Sequence, residues 1–342
     1  MRAWIVREPG PVDGGPPVEA GRRQGPLELV ERPAPVPGPR ELRVRVSVCG
    51  VCRTDLHVAE GDLPVHRPQL VPGHEVVGVV DALGEGATRF SVGERVGIAW
   101  LRWTCGECRF CLRGDENLCV APRFTGWDDD GGYAEFAVVD ERYAYRIPDV
   151  FDDEHAAPLL CAGIIGYRAL RRSELPPGGQ LGIYGFGGSA HLAAQVAVFE
   201  GATVHVRTRS EPARGLAREL GAASVGDSAD PVPEPLDSAV VFAPAGSLVP
   251  VALRALDRGG TVSLAGIHMS DIPSFPYLDL FEERQVRSVT ANTRRDGEEF
   301  LDLAARIPIR VTTTPFAFEA ADDALRALAH DQVEGAAVLR VG

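Results

Sequence analysis

Gln180-Leu-Gly-Ile-Tyr-Gly185-Phe-Gly187-Gly188-Ser-Ala190 is the stretch on which the fold turns. Up to Tyr184 it is a short, mostly apolar run, as a strand buried on both faces of a parallel sheet requires. Gly185, Gly187 and the small Ala190 then fall at the spacing of a dinucleotide-binding turn. The first glycine permits the sharp turn, the second lets backbone amides approach a pyrophosphate, and a small third residue allows close helix packing. Gly188 belongs to the same turn, and Ala190 to Glu200 reads as a helix whose N-terminus presents its positive dipole end to phosphate. An ordinary glycine turn is the plain alternative. Its place between a strand and a helix, at the head of a βαβ unit, favours dinucleotide binding.

The same rhythm continues downstream. Ala202 to Arg207 reads as a strand, Glu211 to Gly221 as a helix stopped by glycine, and Ser238 to Phe242 and Gly260 to Gly266 as further strands. Alternating strands and helices predict a doubly wound parallel sheet in an α/β fold. The second strand ends Val206-Arg207-Thr208-Arg209-Ser210, with no carboxylate where an NAD site places one against the adenosine ribose. Hydroxyls at Thr208 and Ser210 with guanidinium groups at Arg207 and Arg209 suit a 2′-phosphate instead. NADP(H) is therefore favoured over NAD(H), the alternative being that these arginines are simply solvated.

Upstream the chain is β-rich. Met1 to Val6 opens like a strand, Leu42-Arg-Val-Arg-Val-Ser-Val48 alternates as a half-buried strand should, and Glu75 to Val80 and Tyr133 to Val139 repeat the pattern. Pro9 to Pro17 and Arg32 to Pro39 read as loops. Within this half lies Cys105-Gly-Glu-Cys108-Arg-Phe-Cys111, followed eight residues later by Cys119. A compact lobe over about residues 100–120 could aim these four sulfurs at one point, which suits tetrahedral zinc with Zn–S bonds of about 2.3 Å. Four thiolates leave no open position, so such a zinc is structural. A disulfide framework is the alternative, but the rest of this 342-residue chain is not cysteine-rich. Seven cysteines, clustered and odd in number, fit a reducing cytoplasm.

Composition narrows the partners. A net charge of −13 argues against nucleic acid, and no apolar run approaches the ~20 residues of a membrane span. All 35 basic residues are Arg, which excludes lysine Schiff-base chemistry.

Three further segments carry metal-ligand side chains: Cys49-Gly-Val-Cys52-Arg53-Thr54-Asp55-Leu-His57, Gly73-His74-Glu75 and Leu159-Leu-Cys161-Ala-Gly. Two thiolates and one imidazole leave a fourth position open, the pattern of a catalytic zinc, although spacing alone does not join residues so far apart. With the four-cysteine lobe and the glycine-rich turn, these motifs in this order give the chain a resemblance to the zinc-containing medium-chain alcohol dehydrogenases over nearly its whole length.

The resemblance implies a GroES-like catalytic domain of residues 1–162 and 291–342 around a Rossmann domain of residues 163–290. It makes Cys52, His74 and Cys161 the catalytic zinc ligands, with Glu75 just behind the metal and Asp55 orienting His74. Thr54 and His57 match a proton relay, Arg53 a contact to cofactor phosphate, and Gly266 and Ile267 the segment facing the nicotinamide. Trp100 and Leu63 match substrate-pocket positions, and an indole at Trp100 favours primary alcohols. Cys49, Trp103 and Trp127 read as packing, and His66 receives no role. Ala336 departs from relatives that carry an arginine bracing the pyrophosphate there.

The sequence therefore implies a cytoplasmic, homodimeric or homotetrameric alcohol dehydrogenase or aldehyde reductase with two zinc ions per chain. It would act on a small alcohol or aldehyde, without nucleic acid or membrane. The rivals are a reductase acting on an activated C=C bond and a non-catalytic dinucleotide sensor.

Overall fold

The computed structural model describes residues 1–14 and 25–342, so part of the expected Pro9–Pro17 loop lies outside the described residues. The chain divides into two compact units. The first comprises Met1–Cys161, Asn292–Ala305 and Val311–Gly342, and the second Ala162–Ala291 with Arg306–Arg310.

The first unit begins with β1 (Arg2–Val6), β2 (Leu27–Glu31), β3 (Glu41–Val51), α1 (Arg53–Glu60), β4 (Glu75–Leu83) and β5 (Arg95–Ile98). It continues with β6 (Leu101–Trp103), α2 (Arg109–Leu112), β7 (Arg123–Phe124), β8 (Phe136–Asp140), β9 (Ala144–Arg146) and α3 (Asp153–Ala156). The second holds α4 (Ala162–Arg172), β10 (Gln180–Tyr184), α5 (Gly188–Phe199), β11 (Thr203–Arg207), α6 (Glu211–Glu219) and β12 (Ser224–Gly226). After them come β13 (Leu236–Val241), α7 (Leu248–Ala255), β14 (Leu256–Leu264), α8 (Leu278–Phe281) and β15 (Gln285–Ser288). The chain then returns to the first unit with α9 (Arg294–Ala304), β16 (Thr313–Ala317), α10 (Ala321–Ala329) and β17 (Ala336–Arg340).

In the first unit the main sheet runs β16-β17-β3-β4-β5-β9, with β8 also paired to β3. Strand β3 explains how a sheet delivers residues to a site. Leu42, Val44 and Val46 point into the core while Arg43, Arg45 and Ser47 do not, as the alternation predicts. From Val48 to Val51 both faces are buried, and the strand then hands the chain to Cys52. Two small antiparallel pairs, β1-β2 and β6-β7, complete this GroES-like β-rich unit.

The second unit is a Rossmann sheet of order β12-β11-β10-β13-β14-β15, with every neighbouring pair parallel. Strand order reverses between β10 and β13, the place where such sheets bind ligands. Helix α5 starts two residues before the expected Ala190, because Gly187 already serves as its N-cap. Small residues let α5 approach α4 closely, since a Cβ on Gly166 would lie 2.6 Å from the Ser189 carbonyl. Strand β14 begins at Leu256, four residues before the expected Gly260, and the short edge strands β12 and β15 carry no clear apolar pattern in the sequence. Among the described residues no helix is long and apolar enough to cross a membrane.

Candidate active site and metal centres

The four cysteines of the lobe converge. Cys105, Cys108, Cys111 and Cys119 bring their sulfurs within 4.8 Å of one another. Measured separations are 3.5 Å for Cys108–Cys111, 3.5 Å for Cys105–Cys119 and 3.9 Å for Cys105–Cys111. A tetrahedron with Zn–S bonds of about 2.3 Å has edges of about 3.8 Å, whereas a disulfide needs about 2.05 Å. The geometry fits a metal and none of the cysteines is bridged. Backbone N–H groups of Cys105, Cys108 and Ala121 donate to these sulfurs, the environment a thiolate needs. The N–H groups of Cys111 and Val120 bring the Cys108 thiol down to about 6.

A second cluster joins Cys52, His74, Glu75 and Cys161, again within 4.8 Å. Cys52 is the N-cap of α1, its sulfur accepting from Thr54 N at 3.3 Å while Asp55 closes a capping box by accepting from Cys52 N at 3.0 Å. The other Asp55 oxygen accepts from Gly73 N at 3.1 Å and from His74 Nδ1 at 3.0 Å. One buried carboxylate thus fixes both the helix start and the imidazole. With Nδ1 committed, Nε2 turns to the Cys52 sulfur 3.3 Å away. Gly50 leaves room for Glu75, since a Cβ there would lie 2.0 Å from Oε2.

The electrostatics follow from several ionisable groups buried together. A hydrogen bond from Cys161 holds the Cys52 thiol well below its ordinary range despite burial, with His74 adding to the effect. Cys161 is pushed up in return by that bond and by burial. Burial opposes charge on His74, yet Cys52 and Asp55 outweigh it and raise its pKa. Burial also raises Asp55 and Glu75. The protons held here are those a bound metal displaces.

The alcohol dehydrogenase GroES-like domain pattern matches residues 38–149, and the zinc-binding dehydrogenase pattern matches residues 188–306. The chain is 57% identical to the probable alcohol dehydrogenase AdhA of Mycobacterium tuberculosis, over 100% of this chain and 97% of that protein. It belongs to the zinc-type medium-chain alcohol dehydrogenase family. A solved relative, CAD from Helicobacter pylori complexed with NADP(H), superposes with a TM-score of 0.85 at 25% identity, covering 99% of each chain. The cobalt- and zinc-bound thermostable alcohol dehydrogenase from Pyrobaculum aerophilum gives 0.86 at 26% identity, also covering 99% of each chain.

The remaining family positions are spread over both units. Thr54 is buried in the first turn of α1, and His57, one turn on, places Nδ1 2.8 Å from Asp62 Oδ2. Arg53, on the same helix, is exposed and paired with Asp331 at 2.5 Å, a partner that no local pattern announces. Ala336 opens β17 opposite Thr313. Leu63 is half-buried beside the core of its unit. Trp100 meets the His74 ring edge-on at 5.0 Å. Cys49 is buried and packed, outside both clusters, as its plain reading had it.

In the second unit Gly185 follows β10 with φ +85°, and a Cβ on it would strike Ala243 at 2.8 Å. A Cβ on Gly187 would meet nothing within 4 Å, an open cradle that fits a pyrophosphate. Gly188 begins α5 and Ala190 is buried in it. Gly266 lies close to Ala243 and Pro244, while Ile267 is exposed. Arg209 and Ser210 are exposed after β11, Thr208 is buried, and Ser210 caps α6 by accepting from Ala213 N.

Arg207 corrects the sequence reading. Its guanidinium is buried and donates to the carbonyls of Val206, Asp230 and Pro231 and to Ser224 Oγ. Those bonds hold the loop after β12 and commit every guanidinium nitrogen to the protein. Alternation along β11 sets Arg207 on the face of Thr203 and His205, opposite Val204 and Val206, so the sequence pattern does not announce its burial.

Proposed function

We propose that the chain oxidises primary alcohols or reduces the corresponding aldehydes, with a catalytic zinc at Cys52, His74 and Cys161 and a structural zinc at Cys105, Cys108, Cys111 and Cys119. The carrying observation is the convergence of Cys52, His74, Glu75 and Cys161 within 4.8 Å, with the imidazole bonded to Asp55; with Glu75 behind the metal, the other three donors would leave one position for substrate. When bound, zinc supplies Lewis acidity and a nicotinamide cofactor supplies the hydride chemistry.

The chain's own residues then have defined tasks. Cys52, Cys161 and His74 Nε2 would hold the metal, and Glu75, a member of the same cluster, would lie behind it. Thr54, two residues after Cys52, would accept the substrate hydroxyl proton at Oγ1. His57 would take it onward at Nε2, because the carboxylate of Asp62 holds the proton on Nδ1. Gly185, Gly187, Gly188 and the N-terminus of α5 would bind the pyrophosphate with Arg53. Arg53 would first have to leave Asp331, and Ala336 offers it no help. Gly266 and Ile267 would line the nicotinamide side, and Leu63 and Trp100 the alcohol pocket.

Thr208, Arg209 and Ser210 support NADP(H) over NAD(H), and without Arg207 the exposed Arg209 carries the positive charge. Reduction of aldehydes is the direction that cofactor favours. The catalytic domain is taken as residues 1–162 and 291–342 and the Rossmann domain as 163–290, in a cytoplasmic homodimer or homotetramer.

Nicotinamide fluorescence titration of the zinc-loaded protein tests the cofactor assignment without knowledge of the substrate. NADPH should bind at least about tenfold more tightly than NADH, the equivalent of about 1.4 kcal/mol. Thr208→Asp should reverse the order. Tighter NADH binding by the unaltered protein overturns the NADP(H) assignment and leaves the dehydrogenase reading standing.

A further inference from the structure

Trp100 does not stand alone beside His74. Its ring lies nearly parallel to Phe124, at 5.0 Å and 19°, and to Trp127, at 5.9 Å and 9°, and those two rings lie 5.8 Å from each other. His66 stacks on Trp127 at 4.2 Å. Four aromatic rings therefore extend outward from the imidazole of the metal cluster.

The residues bearing these rings are tied to their surroundings. The β6–β7 ladder pairs Leu101 with Phe124, and Thr125 N donates to the Trp100 carbonyl at 2.8 Å, so backbone register sets Phe124 against the indole. Asp128 Oδ2 accepts from Phe124 N at 2.8 Å, and Asp128 Oδ1 pairs with His66 Nδ1 at 2.7 Å. Trp127 Nε1 donates to the Pro64 carbonyl at 2.8 Å. The turn bearing these rings is also pressed onto the backbone just before His74. A Cβ on Gly126 would lie 2.8 Å from Gly73 N, and one on Gly131 would lie 2.0 Å from Gly73 O. Imidazole and ring stack thus share one rigid frame.

We propose that Phe124 and Trp127 are specificity-determining positioning residues that pin Trp100 against His74, so that the site rejects alcohols branched at the carbon bearing the hydroxyl. The inference rests on the alcohol dehydrogenase reading and deepens it. A tryptophan flanked by flexible aliphatic side chains can change rotamer and make room for a branch. Here rotation would separate Trp100 from two near-parallel neighbours, Phe124 placed by its backbone register and Trp127 held by its indole N–H. Neither neighbour needs to touch the substrate, because both act through the Trp100 rotamer. His66 contributes by covering the outer face of Trp127.

The test compares 1-butanol with 2-butanol, which have the same atoms and differ in the position of the hydroxyl, using the zinc-loaded enzyme and its cofactor. The unaltered protein should favour 1-butanol in kcat/KM by about 10–100-fold, the discrimination a pocket achieves over a group of methyl size. Phe124→Leu and Trp127→Leu keep apolar bulk but remove the ring, and each should lower that ratio about tenfold as the secondary alcohol gains. Trp100→Ala should lower it at least as far, and Phe124→Tyr, which restores a ring, should keep it. A ratio that moves in Trp100→Ala and stays fixed in both leucine variants overturns the pinning while sparing the dehydrogenase reading. Turnover of no alcohol by the unaltered protein overturns both.

Discussion

Asp55 illustrates how much one buried side chain can organise. Its two oxygens accept from Cys52 N, Gly73 N and His74 Nδ1, and the hydroxyl of the wholly buried Tyr133 stands 3.4 Å from Oδ2. A carboxylate taken out of water at such cost is tolerable only with this many partners. Replacing it by asparagine preserves shape and removes the charge that favours a protonated Nδ1, so Nε2 loses its fixed role. Asp55→Asn should weaken zinc binding at the Cys52 cluster about 10–100-fold, as loss of a carboxylate behind a ligating histidine does. Zinc content after dialysis against graded chelator checks this, and an unchanged retention curve would show that His74 is oriented by packing alone. Cys52, His74 and Cys161 were legible as candidate ligands only through the family resemblance, because the spacing of three separate motifs does not join them. Phe124, Trp127 and His66 were not, since aromatic residues in a turn give no periodic signal and only the fold stacks them.

Elements impose their own demands, and the β10–α5 turn shows two glycines required for different reasons. Gly185 has a left-handed backbone and would place a Cβ against Ala243, so it serves the fold. Gly187 has φ −113° and open space where a Cβ would go, so the fold does not demand a glycine there and the proposed pyrophosphate would. Gly185→Ala should therefore destabilise the protein by about 1–3 kcal/mol in urea unfolding, the range for a forced backbone conformation. Gly187→Ala should cost at most about 1 kcal/mol, the loss expected of alanine at an N-cap, yet weaken NADPH binding at least tenfold by fluorescence. Equal loss of stability in both variants would mean that Gly187 also has a packing role. Long, periodic or fully apolar elements such as β3, β10 and α5 were readable from sequence because burial dictates their pattern. The edge strands β12 and β15 were not: each hydrogen-bonds on one side only, and their half-buried residues need not be apolar. Arg207 was misplaced for a related reason, since its buried guanidinium is satisfied by carbonyls from a loop whose approach no local pattern announces.

At the scale of the molecule, the two thiol-bearing clusters belong to the same unit but support it differently. The Cys52 cluster is built on a strand end, a capped helix and a buried carboxylate, all held by contacts that exist without metal. The Cys105–Cys119 lobe has little of its own to hold it: α2 buries no residue, and Leu112 and Val120 are exposed. Its main protein anchor is Glu116, whose two oxygens grip the Arg294 guanidinium at 2.6–3.0 Å and whose Oε1 also accepts from Arg294 N at 2.7 Å. That anchor ties one end of the lobe to α9 but leaves the cysteine loop itself without a core. A structural zinc in such a lobe contributes folding free energy directly, whereas a metal in a preformed pocket contributes mainly chemistry. Progressive chelation should accordingly separate two events, with about one zinc per chain assigned to each. Loss of the Cys52-cluster metal should abolish alcohol oxidation with a melting temperature within about 3 °C of the starting value. Loss of the lobe metal should lower it by more than about 5 °C, given about 2–4 °C per kcal/mol for units of this size. Metal counted by mass spectrometry, read beside activity and thermal melting, distinguishes these outcomes. Activity and melting temperature falling in a single step with one zinc per chain would show that only one of the clusters holds metal, and the residue at which Cys→Ser reproduces that step would say which.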